Sequence, residues 1–174
     1  MIVMGVDAST SSTGIAVFDG LDLVYHTTIK PKGEDWRDRL FHQGPDLKEI
    51  IEEYKPDIVY MEDVPLKTGG GLQTLVKLGG VQGFIYGIMA SYQIPVQFLS
   101  PTTWRSKIAI FDGTQEGKKR DVLKEKAVIM VNQLFGLELL WFGPKSKKSQ
   151  DDEAEAILIA YSQIKPRKFG KNRN

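Results

Sequence analysis

The sequence begins MIVMGVDASTSSTGIAVFDG (residues 1–20), in which an apolar segment ends at a carboxylate and a run of small residues follows. The pattern predicts a buried strand over 2–6 that ends at Asp7, and a second strand over 13–18. The turn between them is made of hydroxyl and glycine residues. Such a turn can hold the phosphates of a nucleotide, or it can leave the carboxylate open to a metal ion beside a phosphodiester. The rest of the sequence has to decide between these two ligands.

The order of the following elements indicates an α/β domain with a mixed sheet. Alternating residues over 21–29 predict a third strand, and three strands with short connections predict an antiparallel meander. A helix over 36–54, which we expect Gly44-Pro45 to interrupt or delay, leads to a strand over 58–61. A strand that returns after a helix is expected to pair in parallel with the first strand.

The remaining elements complete a five-stranded sheet, three strands antiparallel and two parallel, flanked by helices. We predict a strand over 96–99 and helices over 72–92, from Thr102 or Thr103 to 108, over 118–135 and over 151–164. Three stretches lack a packing pattern: a loop over 66–71, an exposed insertion over 136–149 and a basic, disordered tail over 165–174. The predicted domain therefore covers 1–164.

Composition also limits the class of protein. The 174 residues, 41% hydrophobic and 26% charged, suit one domain with a substantial core. Cysteine is absent, and the sequence has neither a signal-peptide pattern nor a run of about 20 apolar residues. We therefore expect a cytoplasmic protein with no membrane partner.

Positive charge gathers late in the chain, although the formal net charge is only +1. Lys and Arg cluster over 118–126, 145–148 and 165–173. Any one cluster suits a solvated helix face or a tail. Three clusters in one small domain favour a polyanionic partner, because neutralised phosphates release counterions.

Four carboxylates differ from those on solvated helices. Asp7 and Glu62 each end a predicted strand, and Asp152 and Glu155 lie one turn apart on the last helix. If the two strands are neighbours and the last helix crosses them, these side chains meet. Their mutual repulsion then requires protons, basic groups or cations, and oxygen ligands without His or Cys suit Mg²⁺ or Mn²⁺. Two such ions would make a nuclease site. Asp151 also lies one turn from Glu155 and remains an alternative to Asp152.

Five stretches, in this order, resemble the RuvC family of Holliday junction resolvases, which have an RNase H-like fold. They are IVMGVDASTSSTGIAVF, DIVYMEDV, QTLVKLGGVQG, the region from VQFLSPTTWRSKI to KKRDVL, and DDEAEAILIAY, and together they span about 160 residues. The resemblance implies a metal-dependent, structure-selective endonuclease of bacterial or phage type. Such an enzyme resolves four-way junctions, and other branched DNA, by paired cuts as a homodimer.

The resemblance also implies the residues of the site. The metal-binding and catalytic acids would be Asp7, Glu62, Asp152 and Glu155, with two Mg²⁺ ions per site and Mn²⁺ as a substitute. The family typically has aspartate at the last of these positions, so the longer Glu155 would shift the metal. Lys118 or Lys119 would lie near the scissile phosphate and either stabilise developing charge or anchor the phosphate. We predict DNA contacts for five basic residues: Lys118, Lys119, Arg120, Arg105 and Lys107.

Two features depart from the family pattern. Family members often carry a bulky apolar residue shortly after the strand glutamate, whereas residues 63–66 of this chain read DVPL. In the 136–149 segment, Trp141 and Phe142 precede a basic run. They offer a stacking surface beside phosphate contacts, or else a core or dimer contact.

The predicted helix over 72–92 contains four glycines, Gly79, Gly80, Gly83 and Gly87. Each costs a helix roughly 0.5 to 1 kcal/mol relative to alanine, so we expect close packing to offset them. The partner would be a second subunit, which makes this helix our candidate dimer interface, or the chain's own sheet.

Two other functions compete with a junction resolvase. An RNA-directed nuclease of the same fold would use the same acids. The sugar kinase, Hsp70 and actin superfamily has a similar first phosphate loop, but its members enclose ATP between two related domains, and this chain has room for one.

Overall fold

The computed structural model describes residues 1–64, 71–144 and 146–164. One mixed sheet contains five strands: β1 (Ile2–Ala8), β2 (Thr13–Asp19), β3 (Asp22–Ile29), β4 (Ile58–Glu62) and β5 (Val96–Leu99). Their spatial order is β3-β2-β1-β4-β5, with antiparallel pairing from β3 to β1 and parallel pairing from β1 to β5. The predicted sheet, three antiparallel strands and then two parallel ones, is confirmed.

Some sequence predictions concern residues outside the described ranges. The residues concerned are Pro65, Lys145, most of the loop over 66–71 and the whole tail over 165–174. The domain limit at residue 164 therefore stays a prediction.

Among the described residues, five α-helices flank the sheet. They are α1 (Trp36–Tyr54), α2 (Gly71–Ser91), α3 (Pro101–Lys107), α4 (Arg120–Phe135) and α5 (Asp151–Ile164). Buried side chains of α1 and α2 pack on one face of the sheet, and those of α3, α4 and α5 pack on the other. Across the described ranges, no helix has the length and apolarity needed to cross a membrane.

Alternation along β1 assigns its side chains to these two faces. Met4 and Val6 join the core beneath α1 and α2, whereas Val3 joins the core beneath α4 and α5. Because side chains alternate along a strand, Gly5 and Asp7 lie on the same face as Val3. The first strand therefore directs its carboxylate toward α5.

The hairpin turn between β1 and β2 is closed by its own hydroxyls. Ser9 N–H donates to Ser12 O at 2.9 Å, and Ser9 Oγ donates to the same carbonyl at 2.9 Å. Arg39 of α1 donates from Nε to Thr10 O at 2.6 Å, and Thr13 Oγ1 donates to Gln43 Oε1 at 2.9 Å. The small-residue turn is thus tied to α1 at two points.

The predicted interruption at Gly44-Pro45 is wrong, because α1 runs unbroken through both residues. Pro45 lies on the exposed side of the helix, where its missing N–H costs least. Gly44 lies on the buried side, where an added Cβ would come 3.2 Å from Phe84 Cζ. Packing between α1 and α2 therefore outweighs the local tendency of the pair to end a helix.

The predicted helix over 118–135 begins two residues late. A 3₁₀ turn over Glu116–Lys118 precedes it, and Lys119, in an extended conformation, is the N-cap of α4. The 136–149 segment has neither helix nor strand among its described residues, as predicted, but its expected exposure is wrong at Leu139, which is 7% exposed. Trp141 packs against the core beneath α4 and α5, whereas Phe142 is 58% exposed.

The four glycines of α2 do not share one partner. An added Cβ at Gly80 would lie 2.7 Å from the Trp36 ring, so this residue packs against α1 within the chain. Cβ atoms at Gly79, Gly83 and Gly87 would meet nothing within 4 Å. Only Gly80 is therefore explained by intrachain packing.

Helix α5 approaches the sheet so closely that two strand positions must be glycine. A Cβ on Gly5 would lie 2.2 Å from the carbonyl oxygen of Ala156, and a Cβ on Gly14 would lie 2.0 Å from that of Asp152. Both contacts involve helix backbone, which has little freedom to move. The first turn of α5 thus sits directly over the ends of β1 and β2.

We expect Gly5→Ala to lower the free energy of unfolding by about 1–3 kcal/mol or more, because the added methyl forces α5 away from β1. Urea unfolding monitored by circular dichroism measures the change. Lys48→Ala, an exposed change on α1, is the control and should leave the stability within about 0.5 kcal/mol of the wild type. Equal stability of Gly5→Ala and the wild type would contradict the close approach.

Candidate active site

The two parallel strands bring the first pair of predicted acids together. Val6 of β1 pairs with Met61 of β4, so Asp7 and Glu62, which follow them, lie side by side. Tyr60 packs toward α4 and α5, and alternation assigns Glu62 to the same face. Asp7 and Glu62 therefore both face α5.

The last helix supplies the second pair. Asp152 and Glu155 lie in its first turns, and all four predicted acids line one cleft of about 640 Å³. Gly14 lies opposite Asp7 on β2, and its missing side chain is what admits the Asp152 backbone above the sheet. The predicted convergence of the four carboxylates from three distant segments is what the structure displays.

Both burial and the other three acids act on the pKa of Asp7. Burial raises the pKa of its carboxyl well above the usual value, and the nearby charges of Glu155, Asp152 and Glu62 raise it further. Lys124 offsets only part of this effect. A cation bound at this position would remove the penalty.

Glu62 shares the same cause. Burial, followed by the charge of Glu155, raises its pKa to about 7, although Arg105 and a hydrogen bond from Trp104 act in the opposite direction. The Trp104 indole N–H donates to Glu62 Oε2 at 2.7 Å, and Arg105 Nη2 lies 3.6 Å from the same oxygen. Trp104 is fully buried, so it fixes the position of this carboxylate.

Asp152 differs because it has close donors. Burial alone would raise its pKa, but Lys124 and a hydrogen bond from Ser12 outweigh burial and lower it. Ser12 Oγ donates directly to Asp152 Oδ2, and Lys124 Nζ lies 3.1 Å from Oδ1. Asp151 pairs with the same ammonium but does not line the cleft. This geometry favours Asp152 over Asp151 as the ligand, which stays a prediction.

Three of the five predicted DNA-binding residues reach the cleft. Arg105, Lys118 and Arg120 line it. Lys119 pairs with Glu116 at 2.6 Å, and Lys107 Nζ donates to Gln163 Oε1 at 2.5 Å; neither lines the cleft. Contact with DNA stays a prediction for all five.

Sequence reasoning missed three side chains that support the acids. They are Ser12, Trp104 and Lys124, which bond Asp152, Glu62 and three carboxylates of α5, respectively. Lys124 could have been found, since it lies four residues after Arg120 and so shares a helix face with a predicted site residue. For Ser12 and Trp104 the sequence carries no such signal.

Basic side chains lie between the carboxylates of the cleft. Within 1–64, 71–144 and 146–164, no three His, Cys, Asp or Glu side chains are grouped so that they could hold a metal ion as they stand. Arg105 bridges Glu62 and Glu155, while Lys124 bridges Glu155 and Asp152. The donor set itself, four carboxylates of which Asp7 and Glu62 have a raised pKa, suits a hard divalent cation.

A mixed sheet in this order, with acids at the ends of β1 and β4 and on the helix crossing them, defines an RNase H-like fold. The chain belongs to the RuvC family, since the family model described as Crossover junction endodeoxyribonuclease RuvC matches residues 3–162. The predicted family is thereby confirmed.

Individual relatives agree with this assignment over nearly the full length. RuvC of Rickettsia typhi is 26% identical over 175 residues, which cover 97% of this chain and 100% of the relative. RuvC of Oleidesulfovibrio alaskensis is 27% identical over 171 residues, covering 96% of this chain and 92% of the relative.

Solved structures agree with the fold. Thermus thermophilus RuvC in complex with a Holliday junction substrate has a TM-score of 0.68 at 19% identity, covering 93% of this chain and 91% of that one. The fowlpox virus resolvase in complex with Holliday junction DNA has a TM-score of 0.57 at 17% identity, covering 94% of this chain and 97% of that one.

We expect Glu62→Gln to stabilise the metal-free protein at pH 8, and much less at pH 5. The folded state raises the pKa of Glu62 from 4.5 to about 7, so folding disfavours the charged carboxylate. The resulting cost appears as pH rises through 4.5 and is complete above about 7, where it amounts to roughly 3 kcal/mol. Glutamine removes this cost and still accepts from Trp104.

Thermal unfolding in EDTA at both pH values measures the difference. Glu49→Gln, on the exposed face of α1, is the control and should leave the pH dependence unchanged. A Glu62→Gln variant that is no more stable than the wild type at pH 8 would contradict the raised pKa of Glu62.

Proposed function

We propose that this protein is a metal-dependent, structure-selective endonuclease that resolves Holliday junctions and cuts other branched DNA. The observation that carries the proposal is the convergence of Asp7, Glu62, Asp152 and Glu155 in one cleft of a RuvC-family chain. Four acids gathered from three segments repel one another, and Arg105 and Lys124 together supply only two positive charges against them, which favours a site that binds further cations. The names of the relatives, and of two structures that contain Holliday junction DNA, support the substrate class.

The four acids are our proposed ligands for two Mg²⁺ ions, for which Mn²⁺ can substitute. Carboxylate oxygens are the donors that these hard ions prefer. A bound pair supplies a more acidic water and stabilises the leaving oxygen of a phosphodiester. Glu155, which is buried and already paired with Arg105 at 2.5 Å, is the ligand that must reorient most.

Basic side chains at the rim of the cleft are our proposed phosphate contacts. Lys118 and Arg120 are exposed and line the cleft beside the acids. Lys118 either stabilises charge that develops on the phosphate or anchors it. Arg105 is mostly buried, and among the described residues its Nε is the one buried side-chain nitrogen or oxygen with no hydrogen-bond partner. We assign it to holding Glu62 and Glu155 at the edge of the DNA path.

An exposed apolar stripe on α2 supports a homodimer. Its large members include Leu72, Val76 and Tyr86, between which Gly79 and Gly83 leave the backbone open. Tyr86 lies 6.1 Å, centroid to centroid, from Phe98 on edge strand β5. The stripe thus continues onto the sheet edge, and a second copy of α2 fits its thin surface. Two active sites in one particle would account for paired cuts.

The relatives and the family match also bear on the location of the protein and on its rival functions. The curated relatives are bacterial, which supports the predicted location in a bacterial or phage-infected cytoplasm. The family match favours cleavage of DNA over ATP binding. An RNA-directed nuclease would use the same acids, so only the choice of substrate separates it from a resolvase.

We expect the protein, with Mg²⁺ or Mn²⁺ but not with EDTA, to cut four-way junctions at symmetric positions. Labelled four-way junction, fork, linear duplex and RNA/DNA hybrid, compared on denaturing gels, give the measurement. Cleavage confined to the hybrid, or ATP hydrolysis without cutting, would contradict the proposal.

Asp7→Asn tests the site within the same experiment. It should lower cleavage by roughly a thousandfold or more while junction binding, measured by fluorescence anisotropy, is retained. Asp46→Asn, an exposed change on α1 outside the cleft, is the matched control and should cut normally. Normal cutting by Asp7→Asn would refute its role.

We expect Gly83→Glu to convert a dimer into a folded monomer. A Cβ at this position meets no atom of its own chain within 4 Å, and glutamate improves helix propensity, so the monomer should still unfold in one cooperative thermal transition. A buried charge at the interface should nevertheless oppose association. Sedimentation velocity measures the oligomeric state, with Gln133→Glu on the exposed side of α4 as the charge-matched control. A monomeric wild type, or a dimeric Gly83→Glu, would exclude this interface.

A further inference from the structure

Lys124 is a buried lysine that the proposed chemistry does not use. It lies on α4 between side chains of the core, and only 8% of the residue is exposed. A buried ammonium is costly unless close carboxylates compensate it. Its position among the acids therefore calls for an explanation beyond general DNA attraction.

The ammonium group is shared among three carboxylates of α5. Lys124 Nζ donates to Asp151 Oδ2, lies 3.1 Å from Asp152 Oδ1 and lies 3.5 Å from Glu155 Oε2. Two of its three N–H donors are used in hydrogen bonds to Asp151 and Asp152, and Glu155 adds the attraction of a third carboxylate. The ammonium is thus held by two hydrogen bonds and a third charge contact.

The same oxygens are the ones that a divalent ion needs. Asp152 and Glu155 line the cleft and face the ammonium, whereas Asp151 does not line it. A carboxylate oxygen that accepts from Lys124 at close range presents less of its charge to another cation. The long, flexible lysine stem allows the ammonium to keep Asp151 and release the other two.

We propose that Lys124 is an internal counter-ion that holds Asp152 and Glu155 together in the metal-free protein and competes with the divalent ion for their oxygens. It is a positioning residue that acts through the two acids, and its own side chain lines the cleft beside them. The inference rests on the proposed function, since it takes these acids to be metal ligands. Its consequence is that the divalent ion binds more weakly than four free carboxylates would allow.

Lys124→Gln should bind Mn²⁺ at least roughly tenfold more tightly than the wild type, because one positive charge within about 4 Å of two ligands is removed. Isothermal titration of the full chain with Mn²⁺ in the absence of DNA measures the affinity. Lys124→Arg retains the charge and should bind no more tightly than the wild type. A lysine that only supports the fold predicts unchanged or weaker binding in Lys124→Gln, and that result would overturn the proposal.

A second measurement needs no variant to be stable. In the wild type labelled with ¹⁵N at lysine side chains, the hydrogen-bonded Lys124 Nζ should give a slowly exchanging resonance that shifts or broadens as Mg²⁺ is added. A resonance that Mg²⁺ leaves unchanged would overturn the competition.

Asp7→Asn separates this inference from the proposed function. Equal Mn²⁺ binding by Asp7→Asn and the wild type would contradict the metal centre itself. Weakened binding by Asp7→Asn, together with Lys124→Gln no tighter than the wild type, would leave the centre intact and overturn only the role of Lys124.

Discussion

Mutual repulsion among four carboxylates is the constraint on which the rest of the structure depends. Asp7 and Glu62 have raised pKa values because burial and neighbouring negative charge act together. Two cationic side chains from different helices, Arg105 and Lys124, compensate the cluster, and the acids raise the pKa of both cations although burial lowers it. The cluster therefore survives without metal only because α3 and α4 each deliver a cation to it. The contacts that hold these two helices against the site therefore also balance its negative charge.

Backbone proximity determines how accurately the acids meet. Gly5 and Gly14 allow the first turns of α5 to rest on the strands, with no side chain between sheet and helix. A larger residue at either position would raise α5 and separate Asp152 and Glu155 from Asp7. Both glycines lie in the opening stretch over 1–20, and each contributes to the site because it has no side chain.

The sequence predicted features that depend on local pattern and chain order. Strand alternation and the succession of strands and helices predicted the sheet and placed Asp7, Glu62, Asp152 and Glu155 on one face. The sequence predictions failed where tertiary packing determines the local structure. Examples are Pro45, which α1 accommodates on its exposed side, and Leu139, which is buried in the core. The role of Trp104 was missed because a partner 42 residues away leaves no local signature. Lys124 was missed although its spacing from Arg120 placed it on the same helix face.

The serine-rich turn joins the two layers of helices that the sheet otherwise separates. On one side Arg39 of α1 holds Thr10, and on the other Ser12 holds Asp152 of α5. The turn itself is stiff, because Ser9 closes it with hydrogen bonds to Ser12. The position of Asp152 is therefore linked to that of α1 by two hydrogen bonds and the short stretch of backbone between them, although the two helices lie on opposite faces of the sheet.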